Sequence, residues 1–254
     1  MEGAVNLKTI CVFNQKGGVG KTTTVVNLSA ALGLKGKKIL VVDLDPQGNT
    51  TSGFGVNKFE LSKSVYDLMV HDEFDEGFVL NTDEENVDII PATSDLSGVE
   101  VELINSNNKE NVLKDILSNV KGYDYCFVDC PPSLGTLSIN ALVAADSVLI
   151  PIQCEFYALE GVSQLMNTIN LVRSSLNENL EIEGILMSMF DGRNNLSLEV
   201  VEEVKKYFKD KVFTTMIPRN IRLAEAPSYG MSVIRYDKNS KGAIAYKRLA
   251  EEFV

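Results

Sequence analysis

The chain has 254 residues, 44% of them hydrophobic and 23% charged, a composition typical of soluble globular proteins and a length that buries a core without disulfide or metal staples. Its formal net charge of -11 argues against a polyanionic partner for the chain as a whole, because like charges repel. No uncharged stretch approaches the roughly 18 residues of a membrane span, and the N-terminus lacks the basic and apolar regions of a leader, so a cytosolic protein is expected.

Short apolar runs alternate with longer segments of helical periodicity, the pattern of a mainly parallel, twisted α/β sheet flanked by helices on both faces. In chain order, strands are predicted at Lys8–Asn14, Lys38–Asp43, Val87–Pro91, Tyr125–Asp129, Ser147–Pro151, Ile182–Met189 and Val212–Ile217. Helices are predicted at Thr22–Leu34, Leu96–Asn105, Lys109–Asn119, Thr136–Ala144, Leu159–Ser174, Leu196–Lys209, Ile221–Ala226 and Lys241–Phe253. The runs Ile39-Leu40-Val41-Val42 and Val148-Leu149-Ile150 are apolar throughout, as strands buried on both faces require. No linker or repeat divides residues 1–254, so one domain is expected. The acidic runs Asp72–Glu76 and Asp83–Glu85 read as solvated surface. Cys11, Cys126, Cys130 and Cys154 contain no C-x-x-C pair and the one histidine is His71, so reduced core thiols are expected rather than a zinc site.

The segment Lys16-Gly17-Gly18-Val19-Gly20-Lys21-Thr22 lies between a predicted strand and a predicted helix. Backbone N–H groups and a helix N-terminus can cradle a phosphate chain if glycine permits the approach. Gly17, Gly18 and Gly20 are expected to supply positive φ, Lys21 to reach the β- and γ-phosphates, Thr22 to ligate Mg²⁺, and Thr23 to contact the nucleotide. The expected fold is therefore that of a P-loop NTPase binding ATP and Mg²⁺. Two strand ends carry carboxylates to the same edge: Asp43 and Asp45 in Val41-Val42-Asp43-Leu44-Asp45-Pro46-Gln47-Gly48-Asn49, and Asp129 in Tyr125-Cys126-Phe127-Val128-Asp129. The second is a Walker B arrangement, in which Asp129 holds Mg²⁺ through water. Pro131 and Pro132 then stiffen a turn suited to a γ-phosphate switch.

Position 15 is Gln where the ordinary motif has its first glycine, and Lys16 opens the loop. The form K-G-G-x-G-K-[ST] resembles the deviant Walker A motif of the ParA/MinD/nitrogenase-iron-protein class. That resemblance implies an ATP-sandwich homodimer in which Lys16 reaches the partner's phosphates while Lys21 acts in cis. It also implies that Asp45 orients or activates the attacking water, which makes Lys16, Lys21 and Asp45 the catalytic candidates. NQKGGVGKTTT, VDLDPQGNTTSGFG, DCPPSLGTLSINAL, IPIQCEFYALEGV and MIPRNIRLAEAPSYG together resemble the ParA/Soj partitioning ATPases over nearly the whole chain.

The ParA/Soj resemblance places adenine near Met189, Pro218 and Asn220. It implies that the ATP dimer binds nonspecific double-stranded DNA on the nucleoid through Arg193 and Arg222. Lys205, Lys206 and Lys209 are neighbours that fit a plain solvated face equally well. Gly192–Val254 carries twelve Lys+Arg against eight Asp+Glu, a local excess opposite in sign to the whole chain. A ParB-type partner would stimulate hydrolysis, so that DNA is segregated or replication initiation is regulated. Three other readings differ on particular residues. A MinD-like membrane ATPase needs a basic amphipathic C-terminus, and Tyr246–Val254 gives little apolar face, so no membrane is expected. An iron–sulfur carrier needs a cysteine several residues past the Walker B aspartate, whereas Cys130 follows Asp129 directly. A metabolic ATP-dependent ligase needs a second substrate pocket. With no long segment before the loop, a helix-turn-helix operator-binding extension is not expected.

Overall fold

The computed structural model describes residues 7–71, 73–155 and 158–254, with side chains in the last stretch from residue 161. Residues 1–6, Asp72 of the first acidic run, and Phe156 and Tyr157 of the IPIQCEFYALEGV segment lie outside the described residues. The chain opens with β1 (Lys8–Val12), α1 (Lys21–Gly33), β2 (Ile39–Asp43), α2 (Asn49–Gly53), α3 (Val65–Val70), β3 (Leu80–Asn81) and β4 (Val87–Ile90). The middle holds α4 (Val99–Glu102), α5 (Val112–Leu117), β5 (Tyr125–Asp129), α6 (Thr136–Ala144), β6 (Ser147–Gln153) and α7 (Ala158–Ser175). It closes with β7 (Glu181–Ser188), α8 (Asn195–Phe208), α9 (Ile221–Glu225), α10 (Val233–Tyr236) and α11 (Lys241–Glu252).

The sheet order is β3-β4-β2-β5-β1-β6-β7. All neighbours are parallel except β3, a two-residue antiparallel edge on β4. Alternation along the strands sends side chains to two cores. From β1 and β2, Cys11, Leu40 and Val42 join one core with residues of α3, α5, α6, α7 and α8; Ile10, Val12, Ile39 and Val41 join the other with residues of α1, α10 and α11. The last helix, capped by Ser240 through its bond from the Ala243 N–H, spends its apolar face there: Tyr246, Leu249 and Ala250 are buried.

Two predicted elements differ. Val212–Ile217 is not a strand, since among the described residues its backbone pairs with β7 only at a bridge between Ile185 and Val212 and at the Phe213-to-Ile185 and Ile217-to-Met187 amide bonds. Between them the Thr214 and Thr215 N–H groups donate to the Glu252 carboxylate at 2.8 and 2.7 Å, which takes the donors a ladder needs. The predicted helix Leu96–Asn105 is a chain of tight turns around α4, as Gly98 and two β-branched valines weaken a continuous helix. The α2 helix is not among the predicted elements, and its Asn, Thr and Ser residues are weak helix formers. It forms because both threonine hydroxyls anchor on buried carboxylates.

Candidate functional site: a phosphate loop beside three strand-end carboxylates

In the middle of the sheet β2, β5 and β1 end at one level, with Asp129 paired to Asp43 on one side and Val12 on the other. Their following segments leave the carboxyl edge together, the position at which open α/β sheets present ligand sites. Buried Asn14 props the loop after β1: its amide donates to the Pro151 carbonyl at 2.8 Å and its Oδ1 accepts from the Lys16 N–H at 2.9 Å. Gly18 and Gly20 have φ of +74° and +94°, a conformation that strains any side chain. Gly17, expected to share it, does not, and a Cβ there meets nothing within 4 Å; the turn is made by two glycines rather than three. Gly20 is the N-cap of α1 and no side chain caps the helix, so its first amides remain available as the positive end of the dipole.

Lys21 is 7% exposed, and its Nζ donates to the Asn14 and Lys16 carbonyls at 3.0 and 3.2 Å. Burial lowers its pKa, opposed by the negative field of Asp129 and Asp45. Lys16 is differently placed: half-exposed, its Nζ pairs with Glu155 Oε2 at 3.0 Å. The Gln153 amide donates to the other oxygen of Glu155. The two lysines of the loop are thus separated in position by burial, one folded inward and one held at the surface.

The carboxylates are fixed by hydroxyls and amides. Asp43 Oδ2 accepts from the Thr51 N–H and hydroxyl at 2.8 and 2.7 Å, and its Oδ1 from the Asp45 N–H at 3.2 Å. Asp129 Oδ2 accepts from the Thr22 and Thr50 hydroxyls at 2.7 and 2.6 Å, while its buried Oδ1 has no partner. Asp45, 8% exposed, accepts the Gln47 N–H at 2.9 Å. Burial raises the pKa of Asp129 and of Asp43, and each is raised further by a neighbouring carboxylate; the threonine bonds offset part of this. Among the described residues no group of three His, Cys, Asp or Glu is placed to hold a metal by itself. A buried orphan carboxylate oxygen beside mutually repelling acids and a threonine hydroxyl is nevertheless a hard, oxygen-rich environment short of positive charge, which fits Mg²⁺ completed by phosphate and water oxygens.

Beside the loop is a cavity of about 410 Å³, a size suited to a small-molecule group. It brings Thr23, Met189, Pro218 and Asn220 together with Gly20, and adds Ser188, Ile217, Leu223 and Tyr246. The Ser188 hydroxyl donates to the Val19 carbonyl at 2.8 Å, tying the loop to the end of β7. Met189 has φ +51°, a left-handed conformation uncommon for a long side chain. Asn220 caps α9 through its bond from the Arg222 N–H. Two segments distant in sequence also meet: Gly55 (φ +77°) and Gly230 (φ +63°) approach so closely that a Cβ on Gly230 would stand 2.5 Å from the Gly55 Cα.

The basic residues lie on exposed elements. Arg193, in the loop between β7 and α8, makes two side-chain bonds to Asp191 at 2.9 and 2.8 Å, which hold the Asp191 pKa down to about 2. Arg222 on α9 pairs with Glu225 at 2.7 Å and Asp237 at 3.4 Å. The two loops are joined where Arg219 N–H donates to the Phe190 carbonyl. Lys205 and Lys206 lie on the exposed side of α8, Lys206 paired with Glu203, and Lys209 is its C-cap at φ +50°. Asn14, Thr50, Thr51, Glu155 and Ser188 were not anticipated. Only Asn14, a polar residue at the end of an apolar run, carried a visible signal.

The fold and the loop define a P-loop nucleotide-binding protein of the α/β class. Residues 7–182 match a family model described as an AAA domain. The chain is 56% identical over 96% of its length to the sporulation initiation inhibitor protein Soj of Bacillus subtilis, 97% of which is covered, and 50% identical over 97% to the chromosome partitioning protein ParA of Myxococcus xanthus, 88% of which is covered. A solved structure of cobyrinic acid a,c-diamide synthase from Mycobacterium smegmatis with bound ADP and magnesium superposes with a TM-score of 0.85 at 37% identity, over 97% of this chain and 94% of that one. The chain belongs to the ParA/Soj family of partitioning ATPases.

Proposed function

We propose that this protein is a Mg²⁺-dependent ATPase whose ATP-bound homodimer binds DNA without sequence preference and is released by hydrolysis, in the service of DNA segregation. The observation that carries the reading is the division of labour between the loop lysines. Lys21 is buried against the loop, as a cis phosphate ligand should be. Lys16 is at the surface on one carboxylate, where a second subunit's nucleotide can compete for it. In this reading Gly17, Gly18, Val19, Gly20 and Thr22 enclose the phosphates, and Thr23, Met189, Pro218 and Asn220 receive the base.

Asp45 orients the attacking water and takes up its proton, with the Gln47 N–H holding the carboxylate in place. Thr22 and, through water, Asp129 hold Mg²⁺, which when bound neutralises charge developing on the β- and γ-phosphates. Arg193, Arg222, Lys205, Lys206 and Lys209 supply phosphate contacts. Single-subunit contacts of this kind give Kd of order 10⁻⁴–10⁻⁶ M, and pairing two subunits lowers the apparent value through avidity. A ParB-type protein is the expected stimulator of hydrolysis. The last helix spends its apolar face on the core, which favours DNA over a lipid surface as the partner.

One comparison tests the whole: DNA retention with and without Mg-ATP, for wild type and Asp45→Ala. Wild type should bind DNA transiently and only with ATP, and Asp45→Ala should bind persistently, with nucleotide affinity kept. DNA retention independent of ATP in both proteins would overturn the switch.

A further inference from the structure

We propose that Thr50 is a positioning residue for the cation-binding carboxylate, acting by fixing the orientation in which one oxygen of Asp129 is satisfied and the other is left free; the inference rests on the reading of Asp129 given above. A carboxylate has two equivalent oxygens, and rotation about its Cβ–Cγ bond changes where both of them lie. Here both hydroxyl donors fall on one oxygen: Thr22 at 2.7 Å and Thr50 at 2.6 Å on Oδ2. The buried Oδ1 is left without a partner, and it is the atom available to a water of the cation.

The two donors are not equivalent. Thr22 belongs to the glycine loop and its oxygen is itself engaged when a cation binds. Thr50 lies in α2, fully buried, and its single hydroxyl proton goes to Asp129. It is therefore the pin that does not depend on ligand. Thr51, the next residue, does the corresponding thing for Asp43, and its oxygen accepts the Ala92 N–H at 2.9 Å, so α2 is tied to strand ends on both β2 and β5. The same helix follows directly on Asp45–Gly48. Displacement of the water-activating segment is thereby transmitted to the oxygen that serves the cation.

The test uses the full chain and a fluorescent N-methylanthraniloyl ATP, titrated with Mg²⁺, reading the Mg²⁺ concentration that half-maximally tightens nucleotide binding. Thr50→Val keeps the shape and removes the donor; one lost bond to a charged acceptor should raise that concentration about tenfold. Thr50→Ser restores the donor and should return it to within about twofold of wild type. Affinity for nucleotide without Mg²⁺ should be the same in all three, a readout that a general packing defect would move. A Thr50→Val midpoint within twofold of wild type, or a Thr50→Ser midpoint shifted as far as that of Thr50→Val, overturns the role of Thr50. Should Thr50→Val fail to fold by circular dichroism, Thr50→Ala takes its place under the same criteria. A wild type indifferent to Mg²⁺ overturns the cation reading itself, and Thr50's role with it, which keeps the two failures distinct.

Discussion

The phosphate site and the basic surface are built on opposite principles. In the first, Lys21, Asp43, Asp45 and Asp129 are each no more than 8% exposed, and polar atoms of Lys21, Asp43 and Asp129 are fixed at separations near 2.6–3.2 Å by buried Asn14, Asp45, Thr50 and Thr51 and by half-buried Thr22. Charge is held there out of balance, with like carboxylates side by side. On the surface the opposite holds: the Arg193 side chain is 90% exposed, and it and Arg222 are already paired with nearby acids. A ligand entering the buried site supplies the counter-charge that folding left out, and gains accordingly. A polyanion reaching the surface gains only what remains after displacing carboxylates from solvated pairs, which are weak but not free to break. In the proposed function the first arrangement would favour a ligand that brings a cation, and the second would leave DNA binding graded, dependent on salt and on doubling by a second subunit.

The largest effects should come from breaking the first region. Lys16→Ala should lower ATP turnover by about 10²-fold or more, the order seen when one preorganised donor is removed from a transition state, while nucleotide affinity measured by equilibrium fluorescence stays within a few-fold. Turnover near wild type would show that this lysine acts in neither subunit's reaction. On the surface the effect should be smaller: Arg222→Glu, or Arg193→Glu, should weaken DNA retention about tenfold per subunit and flatten its salt dependence, with dimer formation by light scattering unchanged. Loss of the dimer together with DNA retention would move these arginines from the DNA face to the subunit interface.

The contrast also explains which features of the molecule are legible in the sequence alone. The positions of the glycine loop and of the carboxylates that follow β2 and β5 were legible because each stands at a fixed spacing from an apolar strand, and those strands formed where the apolar runs lay; the role expected of Asp45 came from the family resemblance. Tyr125–Asp129 and Thr136–Ala144 were placed to the residue. Asn14 alone among the supporting residues announced itself. Thr50 and Thr51 did not, since a hydroxyl acquires its role only when β2 and β5 become neighbours, and nothing in Asn49-Thr50-Thr51-Ser52 records that adjacency. Glu155 is 139 residues from Lys16. Val212–Ile217 misled for a related reason: its β-branched composition was right for a strand, but the side chain of Glu252, from the far end of the chain, competes for its amides.

The stored charge of the buried site has a signature in stability. Asp129 has its pKa raised from an ordinary 3.8 to about 7, by burial first and then by Asp43. The folded state therefore holds a proton that the unfolded chain gives up near pH 4, and this group's contribution to stability falls as pH rises between those values. Asp129→Asn removes the charge and keeps an acceptor for both threonines. Without nucleotide or Mg²⁺, the variant at pH 8 should be more stable than wild type by about 1 kcal/mol, the relief of repulsion less the cost of a new unpaired N–H, or roughly 2–4 °C in Tm. The difference should close as pH is lowered below about 4, where both states of the wild type are protonated. A variant less stable than wild type at pH 8 would mean that the charge is compensated within the protein.

The smallest expected effect is the sharpest test of the surface half of the comparison. Asp237 is the more distant of the two acids on Arg222, at 3.4 Å from its Nε, and it takes no part in the phosphate site. Asp237→Asn should leave the Glu225 pair and the ring contact with Tyr236 in place while removing one competitor for phosphate. If local carboxylates set the strength of the surface, DNA binding at low salt should tighten about two- to threefold, the size of an exposed ion pair, and the gain should vanish as salt screens both competitors alike. ATP turnover without DNA should not change. The combination Asp237→Asn with Arg222→Glu should bind as weakly as Arg222→Glu alone, because the asparagine helps only by releasing an arginine that is no longer there. Tightening that survives in the double variant would assign the effect to net charge instead, and Arg222 would lose its special place on that face.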